Sequence, residues 1–220
     1  MFRFFIVFIM LITVVGCQNV LEKPLGVFSE SAEIKNIIGT WSGKDKSTNS
    51  SITIEQSVDD RHYKIRGTDG NSVFVVDALV TNLNKKAILN LDLNTFYITK
   101  NEVKEKLVNF TEPRYSLLGL YLVGEQLYVI HADMESFQNQ LSDLIKKTYK
   151  LRGGCVPDPK TKSISMYCEL MSINSDVLVL DDSVKLKQRI TESFDKIFPI
   201  ADAYIFEKKG KVIGAKLSKR

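Results

Sequence analysis

The chain has 220 residues, 44% of them hydrophobic, with 30 basic against 26 acidic side chains for a net charge of +4. It holds no internal repeat and no low-complexity tract, and its length suffices for a substantial core, since about 150 residues already bury two-thirds of the unfolded surface. No basic stretch is studded with aromatic residues, which argues against a nucleic-acid partner.

Met1-Phe2-Arg3 precedes an uncharged apolar run from Phe4 to Val15, the length expected for the central region of a signal peptide. A transmembrane helix needs roughly 20 apolar residues, and polar Gln18, Asn19, Glu22 and Lys23 follow at once, so the run is too short to span. Val14-Val15-Gly16-Cys17 resembles the lipobox of bacterial lipoproteins: a branched apolar residue, a small or branched one, a small one, then cysteine. The resemblance implies that Cys17 carries a diacylglycerol on its thiol, that residues 1–16 are removed, and that the new amino group receives a fatty acid such as palmitate. Each buried methylene contributes about 0.8 kcal/mol, so two or three chains would hold the protein in a membrane almost permanently. In that family an Asp after the cysteine retains the protein in the inner membrane; Gln18 here points to the outer membrane, on its periplasmic face or at the cell surface. On the residues alone, a secretory signal that contains a cysteine and an uncleaved anchor with a reactive thiol remain open. Gln18 to about Lys35 is loop-like in composition and reads as part of a lipid-anchored tether over residues 17–35, leaving one domain over 36–220.

Gly39-Thr40-Trp41 opens the first expected strand, and it resembles the G-x-W that opens lipocalins and related barrels. That resemblance implies a cup for an apolar small molecule or lipid with Trp41 at its floor. The family's second motif, a Thr-Asp-Tyr-like turn, is missing from this chain, and two helices stand where the family has mostly hairpins.

Sequential hairpins follow, each of two apolar or alternating runs about a turn signal. Ser51 to Val58 and Arg61 to Gly67 flank Asp59-Asp60; Asp69-Gly70-Asn71 leads into Val73 to Thr81; Asn82 to Lys85 turns the chain into Ala87 to Leu93, with a short run at Phe96 to Thr99. Ser116 to Val123 and Gln126 to Ala132 flank Gly124-Glu125. After Asp133 the period becomes helical: Met134, Phe137, Leu141, Leu144 and Ile145 share a face, Asp133 caps the start, Lys146 and Lys147 suit the end, and Gly153-Gly154 stop it. A second helix is predicted from Val184 to Phe198, capped by Asp182 or Ser183 and ended by Pro199. Ile164 to Ile173 and Val177 to Leu180 read as strands, and Ala203 to Lys208 with Lys211 to Lys216 as a last hairpin. The expected fold is mainly β (α+β): an antiparallel meander of about ten strands closing into a barrel or sandwich, with two amphipathic helices packed outside it or plugging an end.

With Cys17 lipidated, Cys155 and Cys168 remain as an even pair, which in an oxidising compartment suggests a disulfide worth about 3 kcal/mol; two free thiols are the alternative. Neither histidine, His62 or His131, has a zinc-like spacing to those cysteines. His131 and Asp133 would share a strand face and could form an acid/base pair or half a metal site, although Asp133 also serves as a helix cap. Asp59-Asp60 and Asp181-Asp182 read as turn and cap residues. Residues 208–220 hold six cations and no acid, a basic end suited to anionic lipid, glycan or an acidic partner, or to guarding a sheet edge. Nucleophile elbow, phosphate loop and zinc-binding helix signatures are all missing, and no cofactor is expected. Two functions therefore compete: a non-enzymatic interaction protein of inhibitor, immunity or envelope-assembly type, and a lipocalin-like carrier. A cryptic enzyme, with a cleft at His131, ranks below both.

Overall fold

The computed structural model describes residues 20–25, 36–43, 50–57, 62–69, 72–83, 86–100, 103–106, 112–153, 173–180 and 184–209. Among them are twelve strands: β1 (Val20–Leu21), β2 (Gly39–Gly43), β3 (Ser51–Gln56), β4 (His62–Asp69), β5 (Ser72–Leu83), β6 (Lys86–Lys100), β7 (Val103–Lys106), β8 (Tyr115–Val123), β9 (Gln126–His131), β10 (Ile145–Gly153), β11 (Ile173–Leu180) and β12 (Tyr204–Lys208). The helices are α1 (Met134–Leu141) and α2 (Val184–Ile197).

Eight strands close an antiparallel barrel in the order β2-β3-β4-β5-β6-β8-β9-β12, with β12 returning to β2. The expected choice between barrel and sandwich is thus a barrel. Alternation explains the simple strands: in β3, Ile52 and Ile54 point inward while Ser51, Thr53 and Glu55 do not. Where helices cover the outer wall, alternation gives way to apolar runs, because both faces are buried. In β6, Leu89 and Leu91 join the barrel interior, whereas Ile88 enters a second cluster with Phe137 and Leu141 of α1 and Ile190, Phe194 and Ile197 of α2. The two helices accordingly pack on the outside of the barrel. Arg189 ties them together, its guanidinium donating to Asp143 Oδ1 and Oδ2 at 3.2 Å and to Gln140 O at 3.0 Å.

A three-strand wing leaves the barrel at the start of β8. Tyr115 of β8 pairs with Leu21 of β1; β1 runs parallel to β11 through Val20–Val177 and Leu21–Leu178; β11 pairs antiparallel with β10. The other addition is β7, paired with the far half of β6.

Three expectations need correction. Residues 20–25, expected within the tether, belong to the fold: Val20, Leu21 and Leu25 are buried, and Glu22 N–H donates to Leu178 O, because three apolar side chains in six residues find partners in both cores. The helix after Asp133 stops at Leu141, a single 3-10 turn covers Ser142–Leu144, and Ile145–Gly153 is strand β10. The apolar face ends at Leu144, and pairing of Thr148 and Tyr149 with β11 outweighs the helical reading of Lys146 and Lys147. Ala87 to Leu93 and Phe96 to Thr99 form one strand, β6, bent between the Val75–Tyr97 and Asp77–Asp92 pairs. The barrel strands themselves follow one another in chain order, as a closing meander requires, with β1, β7, β10 and β11 added outside the barrel. Expected features at 1–19, 154–172, 181–183 and 210–220 lie outside the described residues, among them Cys17, Cys155, Cys168, Asp181, Asp182 and the strand at Lys211; so do Asp59 and Asp60.

Candidate functional site

Gly39 has φ +134°, a conformation that side chains rarely adopt, and it sets the chain so that Trp41 points inward two residues later. Trp41 is 1% exposed, its indole Nε1–H donates to Ile37 O at 2.8 Å, and Lys208 of β12 holds its Nζ 5.6 Å from the ring centroid. Lys208 belongs to a strand inside the barrel wall, paired with Trp41 itself, so at this position the basic end does not guard an edge.

At the opposite end of β9, Asp133 is engaged by α1. Its Oδ1 accepts from Glu135 N–H at 3.1 Å and Ser136 N–H at 3.2 Å, its Oδ2 accepts from Ser136 Oγ–H at 3.1 Å, and its own N–H donates to Ile197 O. His131 turns to the side of Tyr204 instead, ring centroids 6.0 Å apart and edge-on, with a buried Nδ1 that finds no hydrogen-bond partner among the described residues. Burial pushes its pKa below the usual histidine value, and burial followed by the charge of Asp202 raises that of Tyr204. The two residues expected to share a site thus do separate work: Asp133 caps a helix, His131 packs as a neutral ring.

A polar cluster that the sequence reading did not single out lies where β6 bends. Asp92 is the register partner of Asp77 on one side and of Tyr115 on the other. Asn94 N–H donates to Asp92 Oδ1 at 2.9 Å; Thr95 Oγ1–H donates to Asp92 O and its oxygen accepts from Asp77 N–H, both at 2.8 Å. Buried Arg114 adds a hydrogen bond to Glu112 Oε2 at 3.0 Å, and Leu93 N–H donates to Arg114 O. Burial raises the pKa of Asp92 most; the Asn94 hydrogen bond opposes it, Asp77 adds to it, and Lys106 and His62 oppose it. Burial and the Asp92 charge raise Tyr115 likewise. Among the described residues no group of three His, Cys, Asp or Glu side chains is placed to hold a metal ion. The available signal was one Asp inside each of two apolar runs, Val76-Asp77-Ala78 and Leu91-Asp92-Leu93.

A second polar group fastens the N-terminal segment. Asn90 is fully buried; its Oδ1 accepts from Leu25 N–H at 2.7 Å, and its Nδ2–H donates to Thr81 Oγ1 at 3.0 Å and Leu79 O at 3.1 Å. Thr81 Oγ1–H in turn donates to Leu25 O. Both backbone groups of Leu25 are therefore satisfied by the barrel wall.

Comparison with known protein families, curated proteins and solved structures finds no match. No described helix is long and apolar enough to cross a membrane.

Proposed function

We propose that this chain is a cell-envelope lipoprotein, held in a membrane by lipid on Cys17, whose barrel acts as a non-enzymatic interaction module toward a protein partner. The outer membrane is the favoured address, because Gln18 stands where an inner-membrane retention signal would place Asp. The observation that supports an interaction module over a carrier is the packing inside the barrel. Trp41, Val76, Leu91, Phe96, Leu127 and Phe206 expose at most 2% of their surface, so protein atoms fill the space around them. A carrier of a drug-sized ligand needs roughly 300–1,000 Å³ of free interior. We assign the partner contact to the segment 156–163, tied at its ends by a Cys155–Cys168 disulfide.

A carrier reading keeps one supporting observation, the closed eight-strand barrel entered through Gly39-Thr40-Trp41. The two separate in one preparation, the protein extracted from membranes of its host. Peptide masses should show Cys17 as the acylated N-terminus and, without reductant, a linked Cys155–Cys168 pair; an intact Met1 would sink the envelope address. In-cell crosslinking should then yield one recurring protein partner through 156–163. A bound apolar small molecule retained in native mass spectra, with no such partner, would favour the carrier instead.

A further inference from the structure

The segment that follows Cys17 and the segment assigned to a partner are joined through one strand. In the chain, 156–163 falls between β10 and β11, so the way those two strands are held decides how it is presented. β10 pairs with β11, and β11 reaches the barrel sheet through β1; among the described residues no other strand pairs with either. A two-stranded hairpin is at best marginally stable alone in water, so its order depends on what it docks against.

Residues 20–25 are held at both ends of their run. At the first end, Val20 pairs with Val177 and both enter the barrel interior, while Leu21 pairs with Leu178 and both enter the outer core. Glu22 N–H donates to Leu178 O, and Leu21 is also the register partner of Tyr115 on β8. At the second end, Asn90 of β6 and Thr81 of β5 take the N–H and the carbonyl of Leu25. Those contacts read the backbone of Leu25, so they fix where the segment runs whatever side chain stands there. One end of the segment thus belongs to the wing and the other to the barrel wall. Along β11, Val177 stands four residues after Ile173, or about 13 Å at the rise of a strand, so a short stretch of one strand leads from β1 toward 156–163.

We infer that residues 20–25 are a positioning strap: they hold the β10–β11 hairpin against the barrel and so set the presentation of 156–163 to its protein partner. This rests on the reading of 156–163 as the partner contact and adds how that contact is controlled. A hairpin ordered beforehand binds without the cost of ordering it on contact, so the docked strap favours the partner. With the strap displaced, the hairpin keeps its own ladder and the outer-core contacts of Leu178, but loses its strand pairing to the barrel. The coupling is reciprocal: a bound partner holds the strap in place.

The test uses the full protein purified from membranes of its host, with Val20→Ser and Leu21→Ser made together, which removes apolar burial and adds no charge. Hydrogen exchange read on peptides should speed up about tenfold or more over 145–153 and 173–180, and stay unchanged over 51–56 and 62–69 of the barrel. In-cell crosslinking through 156–163 should fall roughly fivefold at equal acylation of Cys17. Leu25→Ser, which leaves the backbone contacts with Asn90 and Thr81 in place, should give the same pattern at smaller amplitude, and it decides the matter where the double variant does not fold. Unchanged exchange over β10 and β11, or equal acceleration in β3 and β4, overturns the strap. A loosened hairpin with undiminished crosslinking overturns its control of the contact. The partner reading fails separately: an unaltered protein that gives no crosslink through 156–163 overturns the contact and its control, while exchange still decides the strap.

Discussion

Asn90 is the residue whose replacement tests most about this fold. It is the one amide inside a wall of Ile88, Leu89 and Leu91, and it serves the Leu25 N–H and Thr81 at once. Asn90→Ala leaves those groups buried without partners, and chemical denaturation should show a loss of about 1–3 kcal/mol. His131 offers a test by pH. Its pKa is lower in the fold than in the unfolded chain, so the unfolded state takes up the proton first as the solution is acidified. Stability is then complete above the unfolded value of about 6.5 and declines as pH falls through it toward the folded value. A His131→Phe protein should lose that part of the decline, since a phenyl ring keeps the contact with Tyr204 without titrating; an unchanged slope between pH 7 and 5 would assign it to other groups. At this scale the sequence was readable in part. Asp133 sat directly before a helical period and caps a helix, as its position predicts. That His131 would turn from Asp133 to Tyr204 depends on a strand 73 residues further on, which leaves no local trace.

Between elements, one tight contact lies where the chain leaving α2 meets the barrel. Gly119 of β8 meets Phe198 so tightly that an added Cβ would lie 2.7 Å from the ring. Gly119→Ala must therefore push the end of α2 outward, and thermal unfolding should register about 1–3 kcal/mol of destabilisation. A change of that size at a strand centre would be unexpected from loss of glycine alone, because alanine is otherwise tolerated there. Elements with their own period were visible beforehand: α2 from its stripe of Leu186, Ile190, Phe194 and Ile197, and the β8–β9 hairpin from alternation around Gly124, whose φ of +60° suits the turn. Elements defined only by a distant partner were not. Two-residue β1 has no period at all, and β10 continues a helical spacing through Ile145 before its backbone joins β11.

For the whole molecule, closure is the least local feature of all. β12 pairs with β2, joining residues 206–208 to 41–43, so the barrel is a cylinder only once its last described strand is in place. Such distant pairing predicts slow folding, on the scale of milliseconds to seconds. It also predicts that a chain ending at Ala203 leaves β9 and β2 as bare edges; sedimentation should find aggregates, and unfolding should lose its single sharp transition. The sequence announced many strands and two helices, which sufficed for a β-rich fold, but the seam between chain ends carries no pattern that a window of residues can hold. The N-terminal segment shares in this long-range design. Tension applied through residues before Val20 would run along β1, load its parallel backbone bonds to β11 sideways, and pass through the Leu25 clasp into Thr81 and Asn90 on two barrel strands. A mechanical pull at that terminus must shear several bonds together rather than peel them one by one, so this end of the molecule is built as a handle rather than a string.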